Sequence, residues 1–138
     1  MPNLMKLVIV DDSKLFQDSL IRSLSTVAGI EIVGCAEQSG GACRLIDTVR
    51  PGIVVLDVEL QGGSHGIDVL RYVTREHPAT KVVVLSNLNW PALRRTYFEA
   101  GAAAYFDKSM EFDRARLWIA ACAQGRAGPW SGAPPDSA

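Results

Sequence analysis

Apolar and polar positions along the chain fall into two alternating kinds of pattern. Continuous apolar runs at Leu7-Val8-Ile9-Val10, Ile53-Val54-Val55-Leu56 and Lys81-Val82-Val83-Val84-Leu85-Ser86 have the length and branched composition of strands buried on both faces. Glu31 to Ala36 reads as a weaker strand because of Gly34, and Ala103 to Phe106 as a short fifth one. Between them the period changes to three and four. Phe16, Leu20, Ile21, Leu24 and Val27 form one helical stripe, with Ser13 or Asp12 as cap and Gly29 as its end. Ala42, Leu45, Ile46 and Val49 form another, capped by Ser39 and stopped before Pro51. A third helix spans Ile67 to Glu76 with Leu70 and Val73 inward, and a fourth runs from Pro91 to Gly101. The last, Glu111 to Ala123, can bury Phe112, Ala115, Ile119 and Cys122. Gln61 to Gly66 has no periodicity and three glycines, which predicts a mobile loop.

Short connections between alternating strands and helices predict an α/β fold, a parallel sheet with helices on both faces. Parallel strands put their carboxyl ends on one edge, and there the polar residues gather. Asp11, Asp12, Asp57, Ser86 and Lys108 each follow the last apolar residue of a strand. The natural crevice lies where strand order reverses.

Composition narrows the classes. The chain has 138 residues, 48% hydrophobic and 21% charged, the size of one domain with one substantial core. With 14 Lys and Arg against 15 Asp and Glu, the balance predicts neither nucleic acid nor an anionic membrane as partner of this chain alone. No signal-peptide layout and no run of 18 apolar residues is present, so no membrane insertion and a cytoplasmic location are expected. Cys35, Cys43 and Cys122 lack ligand spacing and read as buried or half-buried thiols. From Gly125 the sequence is rich in Gly and Pro, which divides the chain into a domain at 1–124 and a flexible tail at 125–138.

Each edge residue has a bland alternative: an Asp-Asp pair caps helices, and a lysine or serine at a strand end is ordinary surface. Together they point to phosphoryl chemistry. Carboxylates held close repel one another, and a hard divalent cation with oxygen ligands relieves that; Mg²⁺ suits the task. A carboxylate can attack phosphorus to give an acyl phosphate, while a lysine charge and a hydroxyl donor cradle the phosphoryl oxygens.

On these residues the sequence resembles the receiver domain of two-component response regulators, from Lys6 to about Ala123. The family's acidic pair matches Asp11 and Asp12, its phosphorylated aspartate Asp57, its hydroxyl residue Ser86, its switch aromatic Tyr105 and its lysine Lys108. The resemblance implies a doubly wound, flavodoxin-like five-stranded sheet of order 2-1-3-4-5. It implies that Asp57 takes a phosphoryl group from a histidine kinase or histidine phosphotransfer protein, with self-phosphorylation from small donors and slow autodephosphorylation rather than conventional turnover. Mg²⁺, with Mn²⁺ as a substitute, would be held by Asp11, Asp12, Asp57 and the backbone carbonyl of Glu59. Ser86 and Tyr105 would switch together and remodel the face of the fourth helix, fifth strand and fifth helix, toward a downstream protein target or in a homodimer.

Three departures stand out. Gln61 replaces a usual proline, and Gly66 lies nine residues after Asp57, one later than the family's pattern. Glu59, Asn87 and Leu88 are expected to modulate access, with Asn89 and Trp90 adding bulk beyond them. Ser109 follows Lys108 where many members have a proline and a cis bond. His65 and His77 have no ligand spacing, and Trp90 either packs beside Tyr105 or is exposed. A haloacid-dehalogenase-like phosphatase would need a second aspartate where Ser13 stands, and a flavodoxin-like carrier would not place Asp11-Asp12 at its phosphate loop. The expected output is that of a stand-alone receiver acting by protein contact through a surface carrying Arg94, Tyr97 and Trp118. The alternatives are the amino-terminal part of a longer DNA-binding regulator, or an interaction module that has lost its chemistry.

Overall fold

The computed structural model describes residues 4–125, so the tail expected at 125–138 lies, from 126 on, outside the described residues. Five strands, β1 (Met5–Val10), β2 (Ile30–Ala36), β3 (Ile53–Leu56), β4 (Lys81–Ser86) and β5 (Ala104–Asp107), form one sheet in the order β2-β1-β3-β4-β5. All neighbouring strands pair parallel. The crossovers are α1 (Lys14–Leu24), α2 (Ser39–Val49), α3 (Gly66–Glu76) and α4 (Pro91–Glu99), and α5 (Phe112–Ala123) follows β5. This is the α/β, flavodoxin-like order that the resemblance implied, on the parallel sheet expected from the apolar runs.

Alternation along the strands builds two cores. Val8, Val10, Val54, Leu56, Val82, Val84 and Tyr105 face one side, packed with residues of α2, α3 and α4. Leu7, Ile9, Ile53, Val55, Val83, Leu85 and Phe106 face the other, packed with α1 and α5. Being buried on both faces, β1, β3 and β4 read as continuous apolar runs rather than alternating ones. The edge strand β2 is only half-buried, and its register against β1 shifts between Leu7 and Val8. At Gly34 a Cβ would lie 2.9 Å from the end of the Leu45 side chain, which would have to shift to admit it.

Several expectations need correction. The first helix ends at Leu24, although Val27 beyond it remains buried. Of the two candidate caps, Ser13 is the one that acts, its Oγ accepting from the Phe16 N–H at 3.1 Å. Ser39 does not cap α2; it is the first helical residue after Gln38, and its N–H donates to Ser64 Oγ at 3.3 Å. The glycine loop after β3 is a hydrogen-bonded turn with a 3-10 segment at Gln61–Gly63. Gln61 N–H donates to Glu37 O at 2.9 Å and Leu60 N–H to Ser64 O at 3.0 Å. Gly66 closes that loop, its N–H donating to Val58 O at 2.7 Å, where a Cβ would stand 2.1 Å from the Asp57 carbonyl oxygen. Tyr97 and Trp118, placed on an outer surface by the sequence reading, are each 2% exposed and belong to the two cores. Phe112 and Cys122 pack only half-buried against the α5 side. No helix among the described residues is long and apolar enough to cross a membrane.

Candidate functional site: an acidic pocket at the carboxyl edge of the sheet

The parallel ladder runs past the strand ends and carries the polar residues into register. Asp11 N–H donates to Ala36 O at 3.0 Å, Asp57 N–H to Val10 O at 2.9 Å and Lys108 N–H to Ser86 O at 3.0 Å. Because β1 lies beside β3, Asp11, Asp12 and Asp57 converge, each offering a carboxylate oxygen within 4.8 Å of the others. Among the described residues this is the group of His, Cys, Asp or Glu side chains close enough to hold an ion; neither His65 nor Glu59 joins it.

Lys108 reaches into the same place from the end of β5. Its Nζ lies 2.7 Å from Asp11 Oδ2 and 3.1 Å from Asp57 Oδ2, and 4.2 Å from the centre of the Phe16 ring. The other oxygens are engaged by backbone: Asp11 Oδ1 accepts from Ser13 N–H at 2.8 Å and Asp57 Oδ1 from Val58 N–H at 2.7 Å. Asp11 is buried, and burial pushes its carboxyl above the ordinary 3.8; the bonds from Lys108 and Ser13 pull the other way, and the Asp57 charge adds to the rise. For Lys108 burial acts downward, but Asp11 and Asp57 together outweigh it and leave the ammonium above its ordinary 10.5. Asp12 stands exposed at the mouth.

Ser86, 1% exposed, accepts the Leu88 N–H on its Oγ at 3.0 Å. Tyr105 is fully buried and donates its hydroxyl to the Leu88 carbonyl. Leu88 thus links the two expected switch residues through its own peptide groups. Burial, and then Tyr97, hold the Tyr105 hydroxyl well above its usual range, and burial holds that of Tyr97 up at about 12. Tyr97 meets the Tyr105 ring edge-on at 5.8 Å between centroids, and the Arg94 guanidinium covers it at 5.1 Å. Those two occupy the place considered for Trp90, which is 53% exposed.

The remaining candidates lie at the rim. Glu59 is exposed and forms a single antiparallel bridge with His65. Asn87 is exposed, while Leu88 packs against the core. Ser13, Leu15, Phe16, Ser19, Asn87 and Lys108 line an open groove of about 370 Å³ beside the pocket. No cis peptide bond occurs among the described residues, so the Lys108–Ser109 bond is trans. His77 lies elsewhere, its Nε2 2.7 Å from Asp47 Oδ1.

Five contributors were not assigned to the site from the sequence. Buried Gln17 donates its Nε2 to the Asp11 carbonyl, and Phe16 lies under Lys108. Neither carries a signal beyond its helical stripe. Asn89 and Asp107 bond to each other at the rim, and Arg94, expected on the partner-contact surface, covers the Tyr105 ring.

The donor set fits a hard cation such as Mg²⁺, being all oxygen, with one carboxylate open to water. Lys108 already neutralises part of its charge.

Comparison with known proteins gives the family and the fold. A profile of the response regulator receiver domain matches residues 7–120. The response regulator GacA of Pseudomonas aeruginosa is 30% identical over 105 residues, covering 76% of this chain and 49% of that protein. The transcriptional regulatory protein DegU of Brevibacillus brevis is 27% identical, covering 91% of this chain and 52% of that one. The chain therefore spans about half the length of the curated relatives it matches. Among solved structures, a LuxR-family two-component response regulator from Aurantimonas sp. SI85-9A1 superposes with a TM-score of 0.81 at 28% identity, covering 90% of this chain and 88% of that one. The isolated receiver domain of RcsB from Salmonella enterica serovar Typhimurium, at 21% identity and TM-score 0.83 over 98% of this chain and 96% of its own, shares the fold.

Proposed function

This chain belongs to the response regulator receiver family and has that family's general role in two-component signalling, and from this premise we propose that Asp57 is its phosphoacceptor. The observation that carries the reading is the convergence of the Asp11, Asp12 and Asp57 carboxylates with Lys108 Nζ at the sheet edge.

An Asp57 carboxylate oxygen attacks the phosphorus of a phosphohistidine on a kinase or phosphotransfer protein. The O–P bond forms as the P–N bond breaks, and the imidazole nitrogen leaves with the electron pair. Asp11, Asp12, Asp57 and the Glu59 backbone carbonyl would hold Mg²⁺. Bound there, the ion supplies charge stabilisation for the phosphoryl oxygens. Lys108 is tethered by Asp11 and can shift its ammonium from Asp57 to a phosphoryl oxygen. Because Ser86 Oγ accepts from Leu88, its own proton is free to be donated to another such oxygen.

The route outward runs from Ser86 through Leu88 to Tyr105, and on to the surface of α4, β5 and α5. With Tyr97 and Trp118 in the core, that surface is carried by exposed Arg95, Arg114 and Leu117, where a downstream protein or a second copy would bind. On the other side of the pocket, Leu15 and Met110, 80% and 84% exposed, offer apolar contacts to the phosphodonor.

The test is labelling with acetyl phosphate and Mg²⁺. Wild type should gain one phosphate, lost slowly by autodephosphorylation, and Asp57→Asn none. Equal labelling of Asp57→Asn overturns the assignment.

A further inference from the structure

Beside the phosphoryl site, the β4–α4 and β5–α5 connections are tied together by side chains that the chemistry above does not use. The carboxylate of buried Asp107, next in the chain to Lys108, takes three hydrogen bonds. Its Oδ1 accepts the N–H groups of Ser109 and Met110, both at 2.8 Å, and its Oδ2 accepts Asn89 Nδ2 at 2.6 Å. Ser109 Oγ adds a second tie, donating to Asn87 Oδ1 at 3.1 Å.

The placement of these ties matters. Asn87 and Asn89 flank Leu88, whose N–H donates to Ser86 and whose carbonyl accepts from Tyr105. Both sides of Leu88 are therefore anchored to the turn after Lys108 by bonds that need no phosphoryl group. A proline at position 109 would have no N–H to offer Asp107. Here the carboxylate shapes that turn and reaches across to the facing loop as well. A carboxylate acceptor makes the stronger kind of bond, and the burial of Asp107 at the end of β5 keeps that end fixed while Asn89 itself lies at the surface.

Resting on the reading of Asp57 as acceptor, we propose that Asn89 and Asp107 are positioning residues: their contact holds the β4–α4 loop where the Ser86 hydroxyl is free to donate and Tyr105 is buried. The site then takes up a phosphoryl group without first moving that loop.

The experiment uses the full chain, beryllofluoride with Mg²⁺ as a non-covalent phosphoryl probe, and hydrogen exchange at the Leu88 amide in its absence. Asn89→Asp sets two carboxylates against each other, and should weaken beryllofluoride binding about tenfold, the scale of one lost charge-assisted bond, while speeding Leu88 exchange. Adding Asp107→Asn in the same chain reverses donor and acceptor yet keeps an oxygen for the Ser109 and Met110 amides. It should restore affinity to within about twofold of wild type and slow the exchange again, a rescue that general damage to the fold would not show. A double variant as weak as Asn89→Asp, or an Asn89→Asp indistinguishable from wild type, overturns the proposal. If wild type binds no beryllofluoride while Leu88 exchange still follows the charge swap, the acceptor reading falls and the loop tie stands. If wild type binds and neither readout follows the swap, the tie alone falls.

Discussion

Asp11 and Asp47 each hold a basic side chain and a second donor, yet folding moves their carboxyls in opposite directions. Asp11 accepts from Lys108 at 2.7 Å and Ser13 N–H at 2.8 Å, and its carboxyl is nevertheless raised. Asp47, on α2, accepts the Tyr72 hydroxyl at 2.6 Å and pairs with His77 Nε2 at 2.7 Å, and its carboxyl is lowered, by Tyr72 first and His77 next. The number of partners does not separate them. Asp11 is buried and faces Asp57, whereas the Asp47 side chain is 48% exposed. Charge crowded into a buried pocket calls for a further cation, while charge satisfied at the surface only fastens α2 to α3.

The strongest way to break this contrast is to remove the cation already in the pocket. Lys108→Ala leaves Asp11 and Asp57 facing each other, and without Mg²⁺ should cost about 2 kcal/mol in urea unfolding, less than a fully buried pair because water reaches Asp57. Millimolar Mg²⁺ should return part of that loss. An Mg²⁺-free Lys108→Ala as stable as wild type would show the acids to be at ease without any cation.

A smaller effect comes from the acids themselves. Asp12 is exposed and makes no ion pair among the described contacts, so Asp12→Ala should leave stability without Mg²⁺ within about 0.5 kcal/mol of wild type. It should weaken Mg²⁺ binding and slow phosphorylation. A much lower melting point would make Asp12 a structural residue. Asp11→Asn keeps an acceptor for Ser13 and sharpens the comparison through pH. The folded carboxyl of Asp11 lies above 3.8, so its charge opposes folding at neutral pH, and that opposition fades as pH falls through the folded value toward 3.8. Asp47 has the reverse sign: its stabilisation is complete above 3.8 and is lost as pH falls through a folded value below it. Without Mg²⁺, acidifying from neutral toward 3.8 should therefore raise wild type relative to Asp11→Asn and leave its margin over Asp47→Asn unchanged. Parallel curves for the two variants would erase the distinction.

The sequence exposed the pocket because its chemistry hangs on strand ends. A run such as Ile53-Val54-Val55-Leu56 can only be a doubly covered strand, and whatever follows it must emerge at the carboxyl edge. That logic brought Asp57 and Lys108 together although 51 residues separate them. It failed where burial depends on how a helix rolls. Trp118 and Tyr97 read as surface aromatics because α4 and α5 have broad apolar faces with charges interspersed, and only packing decides which side turns inward. The Asn89–Asp107 contact was equally hidden, since it needs two loops to approach at a distance no periodicity encodes.

The smallest expected effect tests the surface half of the contrast. Tyr72 donates to both oxygens of Asp47, at 2.8 and 2.6 Å, so ionising the phenol would lose the bond and set two negative charges together. Its pKa is accordingly raised from 10.0 to about 12, the hydrogen bond to Asp47 being the first cause. The chain has three tyrosines, and the other two, Tyr97 and Tyr105, are held up chiefly by burial, which substitution at position 47 does not touch. In Asp47→Ala, alkaline ultraviolet difference absorbance should therefore show one tyrosine returning toward 10.0 while two stay high. The accompanying loss of stability should be slight and shrink with added salt, as expected of exposed partners. If no tyrosine moved, the bond would be absent in solution and Asp47 would be an ordinary solvated acid. The contrast with Asp11 would then reduce to burial alone, and the case for a cation at the sheet edge would rest on the pocket without its surface counterpart.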